Sequence, residues 1–600
     1  MSQAPAFAME RPLRQLRRHG FLLVFLAFVA VFYVWPLVML AVGAFSTAAP
    51  GEAGEWSLAA LDTTFASVAT RQAIGNSVLL AASVTALSLT LAFVLAFLAQ
   101  RSDLPGRRFI TPAMVLIFAV PTLFYVMGYS LLANPYTGLL NRLVASLPGA
   151  PAALLDIESW GGLVTVMVFR STALLYLFLL GPMRALNAEQ EEASLVAGVP
   201  PFGTFLRVSL PALLPALGGA TLLGLVGGLE AFESVLILGQ PAGIDVIALR
   251  VFDYLNGSAP PDYASASMLA LMLVAVVALL TWTQFRVCGR RGFVSIGGKA
   301  RAGRLVPLRG WRAPLAVLVA LYLAAALALP IGALVFSSFQ PFPGVYGTLT
   351  LAHYGAVFAR REVIDAIGNT LALATGVGVA TMVFGIGAAH IGRQLAPLPA
   401  ALLRFCTLLP IAMPGLVTAL AVTWAYVAIP GLRALYGTLW LMAIALMVSL
   451  TPLAAQIGQA VTAQIGRELV EAARVAGRGP LHGFFDIVLR LSLPGFLAGW
   501  FLTAVAVCGS LDIPLLLGGA GLGTVATQIY NLQQFGRFGE SSALLVSLVG
   551  VLLLSALAFA LARRLARVRL PRRGSSSSSG APASRRHGAN PNQTIIRSTS

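Results

Sequence analysis

Twelve long apolar stretches constrain this chain more than any other feature of its 600 residues. A helix that crosses the hydrocarbon core of a bilayer, about 30 Å thick, needs roughly 20 apolar residues. Hydrophobic residues make up 58% of the chain and charged residues only 10%, too few to cover the surface of a water-soluble protein. We therefore predict an all-α polytopic membrane protein whose spans begin near Phe21, Asn76, Phe109, Trp160, Pro211, Ala264, Ala313, Asn369, Ala401, Tyr436, Pro494 and Ser541.

The charged residues follow the positive-inside rule in every loop but one, the external segment with Arg360 and Arg361, which Glu362 and Asp365 offset. The net charge is +18, and arginines cluster before the first span, between the second and third, after the sixth and after the twelfth. Because basic loops stay in the cytoplasm, both termini are predicted to be cytoplasmic. Topology thus accounts for the basic surplus, and nucleic-acid binding is not expected. The first apolar run continues to Phe45, longer than the core of a cleavable signal peptide, so we expect it to be retained.

Three motifs occur twice in the same order, which indicates two tandem parallel six-span repeats. Because six is even, both copies face the same way, with the substrate path expected between them. The paired motifs are Ala-Ile-Gly-Asn76 with Ala-Ile-Gly-Asn369, Glu192-Ala193 to Gly198 with Glu471-Ala472 to Gly477, and Glu233 to Gly239 with Asp512 to Gly518. The predicted domains are a cytoplasmic basic segment (1–20), a first repeat (21–286, core 70–285), a cytoplasmic basic linker (287–312), a second repeat (313–566, core 360–565) and a disordered cytoplasmic tail (567–600).

A polar segment between the fourth and fifth spans, from Met183 to Pro211, cannot cross lipid. Its Ala, Glu, Gln and Leu residues favour a helix, which Gly198 and the prolines after it then end. A second short amphipathic piece leads into the next span. The prediction is a helix, a glycine turn and another helix on the cytoplasmic face, where Ala193 allows close approach of a partner and Glu192 can pair with an arginine or cap a helix.

This segment resembles the signature of the permeases of bacterial binding-protein-dependent, type I ABC importers: Glu-Ala-Ala, three residues, Gly, nine residues, Ile, one residue, Leu-Pro. The first copy keeps the family spacing, with Val208 for Ile and Ser194 for the second Ala; the second has Glu-Ala-Ala, but four more residues separate Gly477 from Pro494. In that family the loop is a coupling helix that docks on a nucleotide-binding subunit. The resemblance therefore assigns docking on an ATPase to Glu192, Ala193, Gly198, Glu471, Ala472 and Gly477.

No segment of the chain supplies the chemistry of ATP hydrolysis. Its only lysine, Lys299, lies in a glycine-containing stretch with one residue too many for a P-loop and without the Ser or Thr that would bind Mg²⁺. We expect a transport subunit that is not an enzyme and holds no cofactor, with ATP and Mg²⁺ bound by a partner. The resemblance implies a homodimer of ABC ATPase subunits, a periplasmic or extracytoplasmic substrate-binding protein, and location in the bacterial inner membrane.

Two other classes of function stay open. A proton-driven secondary transporter also has twelve spans, and Asp103-Leu-Pro-Gly-Arg-Arg108 resembles a loop of that superfamily, although Leu104 replaces its first arginine. That class does not explain the two matched loops. A membrane-bound enzyme is disfavoured because no loop assembles a nucleophile, a base and an orienting group. The three cysteines form no CxxC pair and the five histidines no metal-ligand spacing, so neither a disulfide framework nor a metal site is expected.

Four charges within the spans are candidate functional residues. Burying Arg170 without a partner would be costly. We expect it to pair with Glu230 or Glu233, which lie three residues apart and would share a helix face; contact with cargo is the alternative. Glu233 and its counterpart Asp512 are predicted to line the translocation path.

The cargo is inferred from resemblance alone. Two fused halves, with Gly239-Gln-Pro-Ala-Gly-Ile-Asp245 after the fifth span, look like the ferric-iron group of these permeases, whose relatives carry thiamine, polyamines and phosphonates. The resemblance implies ferric iron, with thiamine as runner-up. No Tyr/His/carboxylate cluster in the spans would chelate iron, but this does not bear on the cargo, because in that family the binding protein usually sets specificity.

Overall fold

The computed structural model describes residues 25–148, 154–186, 188–289, 305–343, 347–466, 468–469, 471, 475, 482–519 and 521–569. Over these residues the structure is helical, with two isolated β-bridges and no strand. Nine described helices are long and apolar enough to cross a membrane, and three more pairs of helices would each form one bent span. Counted in this way, the twelve spans are those that the sequence predicts.

The spans are numbered here in chain order. The nine continuous spans are Phe25–Ala44 (span 1), Val68–Arg101 (2), Trp160–Arg184 (4), Pro201–Leu229 (5), Tyr263–Gln284 (6), Arg309–Phe339 (7), Arg361–Gly392 (8), Leu439–Thr462 (10) and Phe538–Ala558 (12). The three bent spans are Arg107–Ala119 with Thr122–Ala133 (3), Pro397–Ala412 with Gly415–Val427 (9), and Gly483–Leu489 with Leu493–Gly509 (11). Shorter helices between spans are Ala59–Ala66, Leu139–Ala145, Ala188–Val196, Ile247–Asn256, Ala352–Phe358, Asp512–Leu517 and Val525–Gln534.

Spans 3 and 9 are both broken at a proline. Their two halves are bent by 99° and 113°, at Pro121 and Pro414 respectively. Proline has no amide hydrogen and disfavours the helical conformation in the residue before it, and Val120 and Met413 are accordingly extended. Each break leaves carbonyl groups at the end of one helix, and amide groups at the start of the next, without partners inside a helix.

Span 1, the first span of the first half of the sequence, packs on the second half, and span 7, the first span of the second half, packs on the first half. In span 1, the Tyr33 hydroxyl lies 2.7 Å from the Thr451 hydroxyl in span 10. In span 3, the hydroxyls of Tyr125 and Tyr129 donate hydrogen bonds to backbone carbonyls of span 7, at 2.7 and 2.6 Å. The two halves of the sequence are therefore interleaved in space.

The repeated Asn-Ser/Thr motif makes the same hydrogen bonds in both halves. Asn76 donates from its side-chain amide to the Asp245 carbonyl at 2.9 Å, and Ser77 accepts from the Ile247 amide at 2.8 Å. Asn369 likewise donates to the Gly523 carbonyl at 3.0 Å, and Thr370 accepts from the Val525 amide at 2.9 Å. In each half, these side chains satisfy an amide in the first turn of a short helix, Ile247–Asn256 or Val525–Gln534.

The chain divides into two compact units, Met1–Val549 and Gly550–Ser600. The described part of the second unit is the last portion of the helix Phe538–Arg569. The sites described below lie in the first unit.

Candidate functional site

The loop between spans 4 and 5 has the predicted helix, glycine turn and helix. The helix Ala188–Val196 is followed by Gly198 at φ +82° and by a helical turn that starts at Pro201. The Gly198 amide donates to the Leu195 carbonyl, and the Val199 amide to the Ser194 carbonyl. This is the Schellman arrangement, in which a left-handed glycine satisfies the last carbonyls of a helix.

Glu191 fastens this loop to two spans, a role that the sequence analysis missed. Its Oε1 lies 2.9 Å from Arg101 Nη2 at the end of span 2, and it accepts a hydrogen bond from Ser209 in span 5 at 2.6 Å. The Arg101 and Glu191 side chains are only 7% and 16% exposed. The sequence shows that span 2 ends in a basic residue, Arg101, which needs an acidic partner. It does not show which side of the helix Ala188–Val196 faces the spans, so Glu189, Glu191 and Glu192 are equally good candidates.

The residues predicted to dock on a partner are exposed instead. Glu192, Ala193 and Gly198 all lie on the surface of the loop. Beside them, Val196 is 89% exposed and Phe202 67% exposed. Large apolar side chains that stay this accessible on a polar loop are typical of a protein contact surface.

The second loop, after span 10, is described only in part. Glu471 is exposed, and Val475 is 89% exposed, as Val196 is in the first loop. Ala472 and Gly477 lie outside the described residues, as does the stretch around Lys299. The longer spacing of this copy coincides with an 85° bend between Gly483–Leu489 and Leu493–Gly509, whereas span 5 continues from Pro201 to Leu229.

The segment that enters span 7 is attached beside the Arg101–Glu191 pair. The Val306 amide donates to the Arg101 carbonyl at 2.8 Å, and the Leu308 amide to Asp103 at 2.9 Å. Asp103 also forms an ion pair with Arg312, which lowers the pKa of the carboxyl. The Asp103 motif that resembles a secondary-transporter loop therefore has a structural role in this chain, as an anchor for the linker.

Arg170 lies against the break in span 3 and, among the described residues, forms no direct salt bridge with Glu230 or Glu233. Its Nη1 donates to the Val120 carbonyl at 2.7 Å and to the Ile117 carbonyl at 3.3 Å. These carbonyls end the helix Ile110–Ala119, where the helix dipole favours a positive charge. The guanidinium still interacts electrostatically with Glu233.

Glu230 and Glu233 do not share a helix face, contrary to the prediction. Span 5 ends at Leu229, and Glu230 is its C-cap, while Glu233 opens the next helical turn. The Gly227-Gly228 pair weakens the helix at this point, because glycine disfavours helical structure. The break separates the two carboxylates by an irregular stretch of chain.

Glu233 and Asp512 meet where the two halves of the sequence join. Glu233 accepts a hydrogen bond from the Leu511 amide at 3.1 Å, and Leu511 immediately precedes Asp512. Close by, Gly509 is in contact with the Pro121 ring at the break in span 3. Asp512 interacts electrostatically with both Glu230 and Glu233. The three carboxylates are half-buried, so each remains partly accessible.

Glu233 and Asp512 each lie beside the first turn of a helix that follows a break. Glu233 interacts with the Leu123 amide in the first turn of Thr122–Ala133. The Asp512 carboxylate occupies the space that a side chain at Gly415 would need, in the first turn of Gly415–Val427. Helix N-termini favour negative charge. The predicted counterparts Glu233 and Asp512 therefore occupy corresponding positions at the two breaks. Among the described residues, no group of three or more His, Cys, Asp or Glu could hold a metal ion.

Apolar spans, two breaks that carry charges and two exposed loops define an all-α polytopic membrane protein. Residues 381–568 match the family described as "Binding-protein-dependent transport system inner membrane component". This part of the chain is therefore similar to the permeases of binding-protein-dependent importers.

Curated relatives extend the likeness beyond those residues. The chain is 26% identical over 405 residues to the ferric transport system permease protein FbpB of Actinobacillus pleuropneumoniae, covering 66% of this chain and 58% of the relative. It is 23% identical to the Fe(3+)-transport system permease protein FbpB 2 of Haemophilus influenzae, over 79% of this chain and 87% of the relative. It is 27% identical to the putative 2-aminoethylphosphonate transport system permease protein PhnU of Salmonella typhimurium, over 47% of this chain and 96% of the relative. The alignments with two of the ferric relatives span 58% of those relatives' length.

Proposed function

We propose that this chain is the membrane-embedded subunit of an ATP-driven solute importer, and that its two loops dock on separate ATPase subunits. The observation that carries the proposal is the pair of matched Glu-Ala loops, each with a valine at the same position that is 89% exposed. The loops follow spans 4 and 10, and the six spans that separate them return the chain to the same side of the membrane. A partner with two equivalent grooves could therefore engage both loops at once.

The contacts of the loop between spans 4 and 5 would transmit a movement of the ATPase to the spans. Glu191 joins the loop to Arg101 in span 2 and to Ser209 in span 5. A displacement imposed on the loop by an ATPase would therefore move the ends of two spans together. Glu192, Ala193 and Gly198 would contact the partner, and Glu191 would transmit the movement. In the second loop, Glu471, Ala472 and Gly477 would contact the partner.

The translocation path is proposed to pass the junction of the two broken spans. Glu230, Glu233 and Asp512 are partly accessible there, and Arg170 braces the break in span 3. A path lined by acids concentrates cations through its electrostatic field. With the ferric relatives, this charge supports ferric iron as cargo. The phosphonate relative supports an anion instead, and thiamine and polyamines remain cationic alternatives.

Reconstitution tests the ATPase requirement. The chain is reconstituted in liposomes with the ATPase and the binding protein encoded by adjacent genes. The binding protein is loaded with ferric iron, and ATP-driven uptake is measured. We expect the double variant Glu192→Gln/Glu471→Gln to lose at least about tenfold in uptake, the effect of about 1.4 kcal/mol of lost docking energy. The matched control is Glu362→Gln, an exposed glutamate at the start of span 8.

Two outcomes would contradict this function. Accumulation of cargo against its gradient without any ATPase would exclude an importer of this class, and uptake driven by a proton gradient alone would identify a secondary transporter. A double variant with uptake equal to that of Glu362→Gln would reject docking through the two glutamates.

The cargo is tested on the partner binding protein and in the same liposomes. Ferric iron, thiamine, a polyamine and 2-aminoethylphosphonate are compared for binding and for ATP-driven uptake. We expect ferric iron to be taken up and the phosphonate to be excluded. Uptake of the phosphonate alone would overturn the proposal for iron and leave the importer intact.

A further inference from the structure

A cavity of about 510 Å³ lies among the ends of spans 8, 9 and 10. Span 10 ends at Thr462, just before the second loop, which contains Glu471 and Val475. The cavity therefore lies at the end of the bundle that carries the two loops. Its walls include Arg393, Arg404, Thr407, Gln459 and Thr462, and none of the described residues that line it carries a carboxylate. The cavity is therefore positively charged and rich in hydrogen-bond donors.

The two arginines differ in what they bind. Arg393 donates from Nη1 to the Thr462 carbonyl and, at 3.2 Å, to the Ile465 carbonyl. It therefore satisfies backbone carbonyls at the C-terminal end of span 10. Arg404 is exposed, and its side chain makes no hydrogen bond or ion pair with the described residues. Arg404 thus brings a charge to the cavity that nothing in the described chain neutralises.

The helix that carries Arg404 also presents an apolar face. In Pro397–Leu408, the side chains of Leu398, Leu402 and Phe405 are 71%, 55% and 62% exposed. Because this helix begins a membrane span, the natural surroundings of these side chains are acyl chains. A cationic cavity and an apolar face on one helix match the two ends of a phospholipid.

We propose that this cavity binds the headgroup of an anionic phospholipid of the inner leaflet, with Arg404 and Arg393 on the phosphate and the acyl chains along Leu402 and Phe405. Basic pockets between spans on the cytoplasmic side are suited to anionic headgroups. A zwitterionic lipid would leave the surplus positive charge uncompensated, and free phosphate would make no use of the apolar face. The assignment of the leaflet rests on the predicted cytoplasmic position of the coupling loops.

The test compares lipid binding to the purified, delipidated full chain without its ATPase, so it is independent of transport. Phosphatidylglycerol and phosphatidylcholine are titrated while thermal stability and bound lipid are measured, the latter by native mass spectrometry. We expect the phosphatidylglycerol affinity of Arg404→Gln to fall about fivefold, the effect of one basic side chain at a membrane surface. Arg108→Gln, which removes an exposed arginine at the corresponding end of span 3, should bind as the wild type does.

Three results would overturn the proposal. Arg404→Gln could keep the wild-type affinity, both variants could lose affinity equally, or inorganic phosphate could give the same stabilisation as the lipid. If Arg404→Gln does not fold, a photoactivatable phosphatidylglycerol is cross-linked to the wild-type chain. Labelling within residues 388–407 or 455–463 supports the site, and labelling confined to other segments rejects it.

Discussion

Replacing Glu191 with glutamine should loosen the loop between spans 4 and 5 without unfolding the spans. Glu191 lies 2.9 Å from Arg101 and accepts a hydrogen bond from Ser209 at 2.6 Å. Glutamine has nearly the same size but no charge. In the variant, Arg101 would stay buried at the end of span 2 without its counter-ion.

The expected cost follows from how deeply the pair is buried. Removing one partner of a buried ion pair costs about 3 to 5 kcal/mol. Because the Glu191 side chain keeps 16% of its surface exposed, water compensates part of the loss, and the lower end of about 3 kcal/mol applies. At 1.4 kcal/mol for each factor of ten, that is about a hundred-fold in the equilibrium for local opening of the loop.

Hydrogen exchange of the full chain in nanodiscs measures this opening. Amides of residues 188–204 should exchange about a hundred-fold faster in Glu191→Gln, with no change in spans 2 and 5 away from the contact. Glu192→Gln is the matched control, because Glu192 is adjacent but exposed, and its loop should exchange as in the wild type. The double variant Arg101→Gln/Glu191→Gln should recover much of the protection, since it leaves no buried charge. Wild-type exchange in Glu191→Gln would refute the role of this pair.

Four further predictions concern the spans and the loop before span 4. Glu233→Gln and Asp512→Asn should each lower uptake at least about tenfold at equal protein levels; unchanged uptake would remove these acids from the path. Gly415→Ala should lower thermal stability, because its methyl group needs the space of the Asp512 carboxylate, and a variant as stable as the wild type would show that this carboxylate moves freely. Arg170→Gln should destabilise by about 2 kcal/mol or more, since it leaves buried carbonyls at the break without a charged donor, whereas Arg170→Lys should retain part of the stability. Desolvation raises the pKa of Glu158 in the folded protein. The stability that its protonated form contributes is therefore fully present below the ordinary glutamate pKa and is lost as the pH rises through the raised value. The thermal unfolding temperature, measured from about pH 4 to about pH 7, should depend less on pH in Glu158→Gln than in the wild type.

The number of spans could be predicted from the sequence because it depends only on how many consecutive residues are apolar. The breaks at Pro121 and Pro414 were not predicted, although each proline is visible in the sequence. Proline inside a span is tolerated as a kink when neighbouring groups satisfy the freed backbone. Whether it breaks the helix therefore depends on partners such as Arg170, which come from a distant span.

The site residues divide in the same way. The exposure of Glu192 and Gly198 follows from a local pattern, a short polar helix ended by glycine, and the sequence carries that pattern completely. The partner of Arg101 could not be chosen, because neighbouring glutamates differ by about 100° around a helix and only the packed loop fixes which of them points inward. The prediction that Glu230 and Glu233 share a helix face was wrong because the helix ends at Leu229, so that neither residue lies within it.

The breaks also account for why charged residues occur within the spans at all. A broken helix exposes a positive and a negative dipole end inside the membrane, and each end is stabilised by a charge of opposite sign. Arg170 supplies the positive charge at the end of Ile110–Ala119, and Glu233 the negative charge beside the start of Thr122–Ala133. Asp512 does the same at Gly415, from the other half of the sequence. Because Glu233 is also bonded to the Leu511 amide next to Asp512, a movement that separates the two halves must break this contact and alter both helix starts at once. Charges that stabilise the breaks thus also join the two halves of the sequence.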